Sequence, residues 1–335
     1  MTPGVVRVGV IGVGAVAQIA HLPALASRDD VHLVGICDSD PGKARALATR
    51  FGVADIYEDI EDLLSLARPD AVVISTPNHL HEIHTLTALS AGAAVLCERP
   101  LALSAKGVER VIAAQQRAGR PVAVGMNQRY RPDVQAVRAF VHGDELGPLR
   151  GVRAGWYQFR PSRAELGWRL RPAEAGGGAL LDLGLPLVDL GLWLQEGAVP
   201  VQATASLHRS ADGVEDAGCA LVLCEHGYSI FVDVAWRYVG DHERIWLDVL
   251  GERGSARVPP LIVFKELHGT PMNVTPTGAA GRENPVSASY RAEWATFLAA
   301  ARNEVETPSL DDQLLLHRTM DAIYRSAREG HAVPV

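Results

Sequence analysis

From Val5 the first third of the chain exchanges unbroken apolar runs for runs with apolar positions at helical spacing. "VVRVGVIG" is followed by "AQIAHLPALAS", "VHLVGICD" by "PGKARALATRFG", "AVVISTP" by "HEIHTLTALSAG", and "AVLCERP" closes the series. Strands of continuous Val, Ile and Ala suit burial on both faces, and amphipathic helices between them are the crossovers that parallel neighbours need. The pattern predicts a doubly wound α/β domain. The second half changes rhythm: "LRGVRAGWYQF", "VQATASLHR", "DAGCALVLCEHGYSIFVDVAWRY" and "ERIWLDVLGERGSARV" read as successive strands, several alternating apolar with polar. That alternation predicts a sheet buried on one face only. Between the halves, "GGGALLDLGLPLVDLGLWL" (176–194) predicts an apolar helix with Asp182 and Asp189 two turns apart on one face and Pro186 one turn after Asp182.

A chain of 335 residues suits two domains, expected here at 1–125 and 126–335, with the last helix packing back on the first domain. Its 47% hydrophobic and 21% charged residues suit a protein that buries substantial cores without staples. A net charge of -7 with no basic block leaves no electrostatic footprint for nucleic acid. Cys37, Cys97, Cys219 and Cys224 contain no Cys-x-x-Cys pair and are expected to be reduced and structural. The apolar N-terminus, with early Pro3 and several glycines, reads as a first strand and turn rather than a signal peptide. Two aspartates, a proline and five glycines argue against a membrane span at 176–194. A cytoplasmic protein with no membrane association is expected.

In the first strand-to-helix turn, Gly12-Val13-Gly14-Ala15-Val16-Ala17 fits the dinucleotide fingerprint with its last glycine replaced by alanine. Gly12 permits the tight turn, Gly14 a close approach of backbone to pyrophosphate, and Ala17 tight packing of helix on strand. The helix N-terminus then offers free N–H groups to the phosphates. Asp38 ends the second strand, where an acid reaches the adenosine ribose hydroxyls and repels the extra phosphate of NADP, so NAD is the preferred cofactor and NADP the alternative. Asp38 also suits a cap on the helix starting near Pro41. His79, His81 and His84 in "STPNHLHEIH" lack a completing Cys or carboxylate set, so helix-start and cleft-lining roles are expected rather than a metal site.

At "VLCERP", taken with "GVGAVA", "STPNHLH", "GMNQRYRP", "GWRLRPAEAGGGALLDLGLPLVDLGLWL" and the closing "AIYRSAREGHAVPV", the chain resembles the Gfo/Idh/MocA family of glucose-fructose oxidoreductase and inositol dehydrogenase over nearly its whole length. The resemblance implies an N-terminal Rossmann domain and a C-terminal α+β domain with an open, mostly antiparallel sheet. It implies hydride transfer between a nicotinamide and a sugar-like or cyclitol-like alcohol or ketone, and a homo-oligomer, dimer or tetramer. It puts Gly12, Gly14, Val16, Ala17, Asp38, Thr76, Pro77, Asn78, His81, Glu98, Arg99 and Asn127 at the cofactor. Tyr157, Trp168, Arg169 and Asp182 fall to a polyhydroxylated substrate, with Arg99 and Asp182 the catalytic pair.

The family's usual site joins a lysine, an aspartate and a histidine, and here the lysine position holds Arg99 and the histidine position Pro186. Arginine keeps the charge but stays protonated, so it binds without relaying a proton. Proline removes a general acid or base, a loss of about 100-fold to 10,000-fold in rate. It also removes a helix hydrogen bond unless a new segment starts there, with Asp189 then in the first turn of "PLVDLGLWL" as a structural residue. Tyr130, Tyr157, His79 and His81 are the replacement acids at hand, each more readily read as cleft wall or core. Three functions follow: an NAD-dependent oxidoreductase with an atypical site, a binding or regulatory protein that has lost turnover, and an enzyme that uses bound NAD transiently in a net non-redox reaction.

Overall fold

The computed structural model describes residues 4–159, 166–209, 213–277 and 283–335, which form two compact units. The first comprises Met1–Asn127 and Val286–Leu314, the second Gln128–Pro285 and Leu315–Val335.

The first unit is built on six parallel strands: β1 (Val6–Ile11), β2 (Val31–Cys37), β3 (Ile56–Tyr57), β4 (Ala71–Ile74), β5 (Ala94–Glu98) and β6 (Val122–Gly125), in the order β3-β2-β1-β4-β5-β6. β4 and β5 are buried at every residue, which is why their sequences show no alternation. Helices over Pro41–Phe51, Asn78–Ser90 and Ala105–Ala118 make the crossovers. Trp294, Phe297, Leu298 and Ala301 of the Pro285–Ala301 helix share one apolar cluster with Val8, Val10 and Leu25. The second unit is therefore not the continuous stretch 126–335: the chain returns to complete the first core, and the helix Asp311–Glu329 straddles the division.

The second unit is a nine-stranded sheet of β7 (Leu149–Tyr157), β8 (Pro200–Arg209), β9 (Glu215–Cys224), β10 (Ser229–Ala235), β11 (Arg244–Gly251), β12 (Gly254–Val258), β13 (Ile262–Leu267), β14 (Thr270–Asn273) and β15 (Val333–Pro334). The order is β14-β13-β12-β11-β7-β10-β9-β8-β15, and of its pairs only β10 with β7 is parallel. The two longest strand-like runs each fold as hairpins, β9 with β10 and β11 with β12. One sheet face carries Val152, Ala154, Ile230, Val232 and Val234, all 1% exposed or less. The apolar helix over 179–194 packs on that face, burying Leu180, Leu185, Val188 and Leu194. The stretch Pro172–Leu194 has the length and composition of a membrane span, yet 78% of its apolar window is buried within the protein, as in a core helix.

Candidate active site

In the first unit, β1 runs into Gly12, whose φ of +81° is open to glycine, and a helix starts at residue 15. A Cβ on Gly12 would stand 2.8 Å from both the Ser75 carbonyl carbon and the Thr76 nitrogen, so packing alone demands glycine here. Gly14 differs: a Cβ there would meet nothing closer than the Ser75 carbonyl oxygen at 3.9 Å. The protein leaves that space open at a helix N-terminus, as a pyrophosphate requires. Ala17 is fully buried and Val16 half-buried at the same helix start. The fingerprint residues thus fit a dinucleotide.

Asp38 sits beside that turn and holds it. Its Oδ2 accepts from the Val13 N–H at 2.7 Å, while Oδ1 accepts from the Asp40 N–H at 3.0 Å and pairs with Lys43 Nζ at 3.0 Å. The cap of the Pro41–Phe51 helix is Asp40, which accepts from the Lys43 N–H, so Asp38 is not spent on that task.

Thr76, Pro77 and Asn78 follow β4, all half-buried, with Asn78 opening the Asn78–Ser90 helix. His81, expected at the cofactor, is 1% exposed with Nδ1 2.7 Å from the Pro100 carbonyl and Nε2 2.8 Å from the Thr76 carbonyl. Burial pushes its pKa down against those two carbonyls. Both ring nitrogens face backbone carbonyls of the loops after β4 and β5, and the neutral imidazole has one N–H to donate to one of them, so His81 ties these loops together from a buried position. Burial likewise brings His84 down to about 4, with Nδ1 at 3.4 Å from Thr76 Oγ1.

Glu98 ends β5 in a buried relay. Trp294 donates from Nε1 to His21 Nδ1 at 3.1 Å, which fixes the His21 proton on Nε2, 3.0 Å from Glu98 Oε1. The Arg99 N–H donates to Glu98 Oε2 at 3.2 Å. Burial alone would raise the Glu98 carboxyl, but the His21 hydrogen bond and the Arg99 charge outweigh it and hold it below the usual range. Asn127 donates from Nδ2 to Ser289 Oγ at 3.1 Å. The Pro285–Ala301 helix also delivers Glu293, 2% exposed, with neither carboxyl oxygen partnered among the described residues.

Burial and the Glu98 charge push Glu293 well above its ordinary value of 4.5, and Arg99 offsets this only in part. An acid with a raised folded-state pKa stabilises fully below its unfolded value, and that contribution is lost as pH rises through the folded value. A Glu293→Gln variant should therefore melt higher than the parent, by an amount that grows from about pH 5 to about pH 8 and reaches on the order of 1–3 kcal/mol. Thermal melts across that range check it, and a gain independent of pH would contradict it.

In the second unit, the glycine run before Asp182 answers to packing. A Cβ on Gly178 would lie 1.9 Å from the Glu215 carbonyl oxygen, and one on Gly177 2.2 Å from the Tyr324 hydroxyl. Glu215, 2% exposed, accepts from the N–H groups of Gly178 (2.7 Å) and Leu180 (3.2 Å) and from the Tyr324 hydroxyl (2.6 Å). An acid on the free N–H groups of a helix start also suits the helix dipole. The helix then makes a π turn over Leu180–Gly184, with the Leu185 N–H reaching the Leu180 carbonyl, before the α segment Leu185–Leu194. Pro186 stands in the first turn of that segment, where a missing N–H is tolerated. Asp189 pairs with Arg129 by two hydrogen bonds of 2.7 and 2.5 Å, a structural role.

Asp182 projects from the π turn. Its Oδ2 accepts from the Trp236 indole at 2.8 Å, its Oδ1 lies 3.7 Å from Arg169 Nε, and the Arg169 guanidinium stacks over Trp168 at 4.5 Å. These three expected substrate residues cluster. Tyr157 does not join them: strand alternation places it with Arg153 and Gly155 on the face opposite Val152 and Ala154, and hence opposite the helix. Its hydroxyl donates to Asp233 at 2.6 Å and its ring packs on Tyr238 and Trp246, which sets it apart from the Asp182 cluster. Tyr130 closes a short 3-10 turn over Asn127–Tyr130 and is half-buried. Trp236, Glu215 and the His21–Trp294 pair escaped sequence reading because each meets its partner across 37 to 273 residues of chain with no local pattern to mark it.

A parallel sheet with an open glycine turn at its first helix, joined in one chain to a mostly antiparallel sheet whose unit carries an Asp–Arg–Trp cluster, defines a nicotinamide-nucleotide oxidoreductase of two domains. The NAD-binding Rossmann domain of the Gfo/Idh/MocA oxidoreductases matches residues 6–126 and that family's C-terminal domain matches 134–257, and the chain belongs to this family. It is 32% identical over 203 residues to D-glucoside 3-dehydrogenase of Escherichia coli (strain K12), spanning 58% of this chain and 55% of that protein. It is 28% identical to inositol 2-dehydrogenase of Acidothermus cellulolyticus, covering 98% of this chain and 94% of the relative. Among solved structures, GenD2 from gentamicin A biosynthesis in complex with NAD superposes with a TM-score of 0.86 at 27% identity, covering 99% and 97% of the two chains.

Proposed function

We propose that the protein is an NAD-preferring dehydrogenase or reductase that transfers hydride between the nicotinamide and a CH–OH group of a sugar-like or cyclitol-like substrate. The observation that carries this reading is the intact cofactor half: Gly12 forced by packing, Gly14 opening onto unfilled space, and Asp38 holding the turn between them. Val16, Ala17, Thr76, Pro77, Asn78, Glu98, Arg99 and Asn127 are proposed to line the rest of the nucleotide site. NAD, when bound, supplies the hydride acceptor. Arg99 contributes a permanent charge that orients ribose or substrate oxygens, because a guanidinium does not give up its proton. Asp182, Arg169 and Trp168 bind the polyol: a carboxylate accepts from hydroxyls, a guanidinium donates to them, and an indole face covers the apolar side of a ring. The D-glucoside and inositol dehydrogenases among its relatives support that substrate class. We further propose a homo-oligomer working in the cytoplasm, a setting in keeping with the four free cysteines.

Calorimetric titration with NAD(H) and NADP(H), after removal of any co-purified dinucleotide, tests the proposal. NAD(H) should bind more tightly than NADP(H). Asp38→Ala should weaken NAD(H) about tenfold or more, since the ribose contact and the anchor on the Val13 N–H go together. A panel of sugars and cyclitols followed by nicotinamide absorbance then reads turnover. No binding of either dinucleotide would overturn the proposal. A second reading, a dinucleotide-binding protein without turnover, is favoured by Pro186 alone: it is buried, and its side chain has no acid or base to offer. Tight NAD binding with no conversion across the panel would select it.

A further inference from the structure

We propose that Trp236 is a positioning residue whose indole N–H sets the orientation of the Asp182 carboxylate toward substrate; this rests on the proposed function. Trp236 follows β10 and is held at both ends. Its backbone N–H donates to the Asp216 carbonyl at 2.8 Å, and its residue is 1% exposed, so the ring is held by burial. From that fixed ring the Nε1–H reaches Asp182 Oδ2 at 2.8 Å across 54 residues of chain. An indole donates and never accepts, so this oxygen is committed as an acceptor.

Asp182 needs an external holder because of where it stands. It lies in a π turn, an irregularity that often marks functional positions and leaves its neighbours without regular helical spacing. One turn on, Pro186 offers no polar side chain to share the work. On the other side Arg169 Nε is 3.7 Å from Oδ1, an attraction between charges but too long for a hydrogen bond. The indole is thus a short, directional contact, and Arg169 a looser one.

With the polyol that gives the highest turnover in the panel, Trp236→Phe keeps the ring bulk but loses the N–H, and should lower kcat about 10-fold to 100-fold, as expected for a misplaced orienting group. The KM for NAD should stay within about twofold, since unit one is untouched. Trp236→His, which retains a ring N–H, should recover part of the loss. In an Asp182→Asn background Trp236→Phe should cost less than about twofold more, because both changes remove one function. Additive losses would overturn the positioning role while leaving the proposed function standing. Full activity in Asp182→Asn would remove the proposed role of Asp182 and the inference with it.

A readout without turnover decides the contact itself. Of the six indole N–H resonances expected from six tryptophans, Trp236→Phe identifies one, and Asp182→Asn should shift that one and leave the rest in place. An unmoved resonance would overturn the inference even if no substrate is found.

Discussion

Asp189→Ala should lower the stability of the second unit by about 3–5 kcal/mol, the usual cost of leaving one member of a buried ion pair unpaired. The Asp189 side chain is 2% exposed and that of Arg129 16%, and the two meet fork to fork at 2.7 and 2.5 Å. Truncating the acid removes the carboxylate that neutralises the Arg129 guanidinium, which otherwise lies 5.9 Å from the Trp193 ring of the Leu185–Leu194 helix. For a unit of this size the calorimetric transition should fall by on the order of 10 °C. Replacing both partners by apolar residues, Arg129→Met with Asp189→Leu, should restore most of the loss, since the penalty lies in the uncompensated charge rather than in the missing attraction. A single variant melting within about 1 °C of the parent would show that water reaches the pair and screens it.

That pair also shows where sequence reading stops. Asp189 is visible as an acid in an apolar helix, and the reading that it is structural follows from the helix register; its partner, 60 residues earlier, carries no local mark. The same holds elsewhere. The parallel sheet is legible because a strand buried on both faces must be apolar throughout, as β4 and β5 are. The fingerprint is legible because Gly12 and Gly14 answer to backbone geometry, which is local. The separation of Tyr157 from the Asp182 cluster was not legible, because its face depends on strand register, and a shift of one residue sends a side chain through the sheet. β13 and β14 were not read at all: their residues are largely exposed, so the alternation that reveals a half-buried strand is weak there. At the glycine run 176–178, the close approach of Glu215 and Tyr324 accounts for two of the glycines, and both neighbours lie far away in sequence.

Pro186→His combined with Arg99→Lys should raise hydride transfer on a sugar or cyclitol substrate by about 100-fold or more, the range a positioned acid–base group contributes. The backbone is prepared for the first change. The π turn already lets the Leu185 N–H bond to the Leu180 carbonyl, and Pro186 stands in the first turn of the α segment, so histidine returns an N–H without having to straighten a break. Its imidazole would lie about one turn from Asp182, whose carboxylate the Trp236 indole already holds. Arg99→Lys returns an amine that burial and neighbours can tune, where the guanidinium stays charged. The gain should appear in kcat more than in the affinity for NAD, and rate profiles should acquire a limb near the imidazole range, about pH 6.5, absent from the parent. The single Arg99→Lys change should give little, because position 186 still lacks a side chain that can carry a proton. If the double variant binds NAD as the parent does, folds as the parent does and still gains nothing across the panel, the two departures are not lesions in a dehydrogenase, and recognition of a ligand without its oxidation is the better reading.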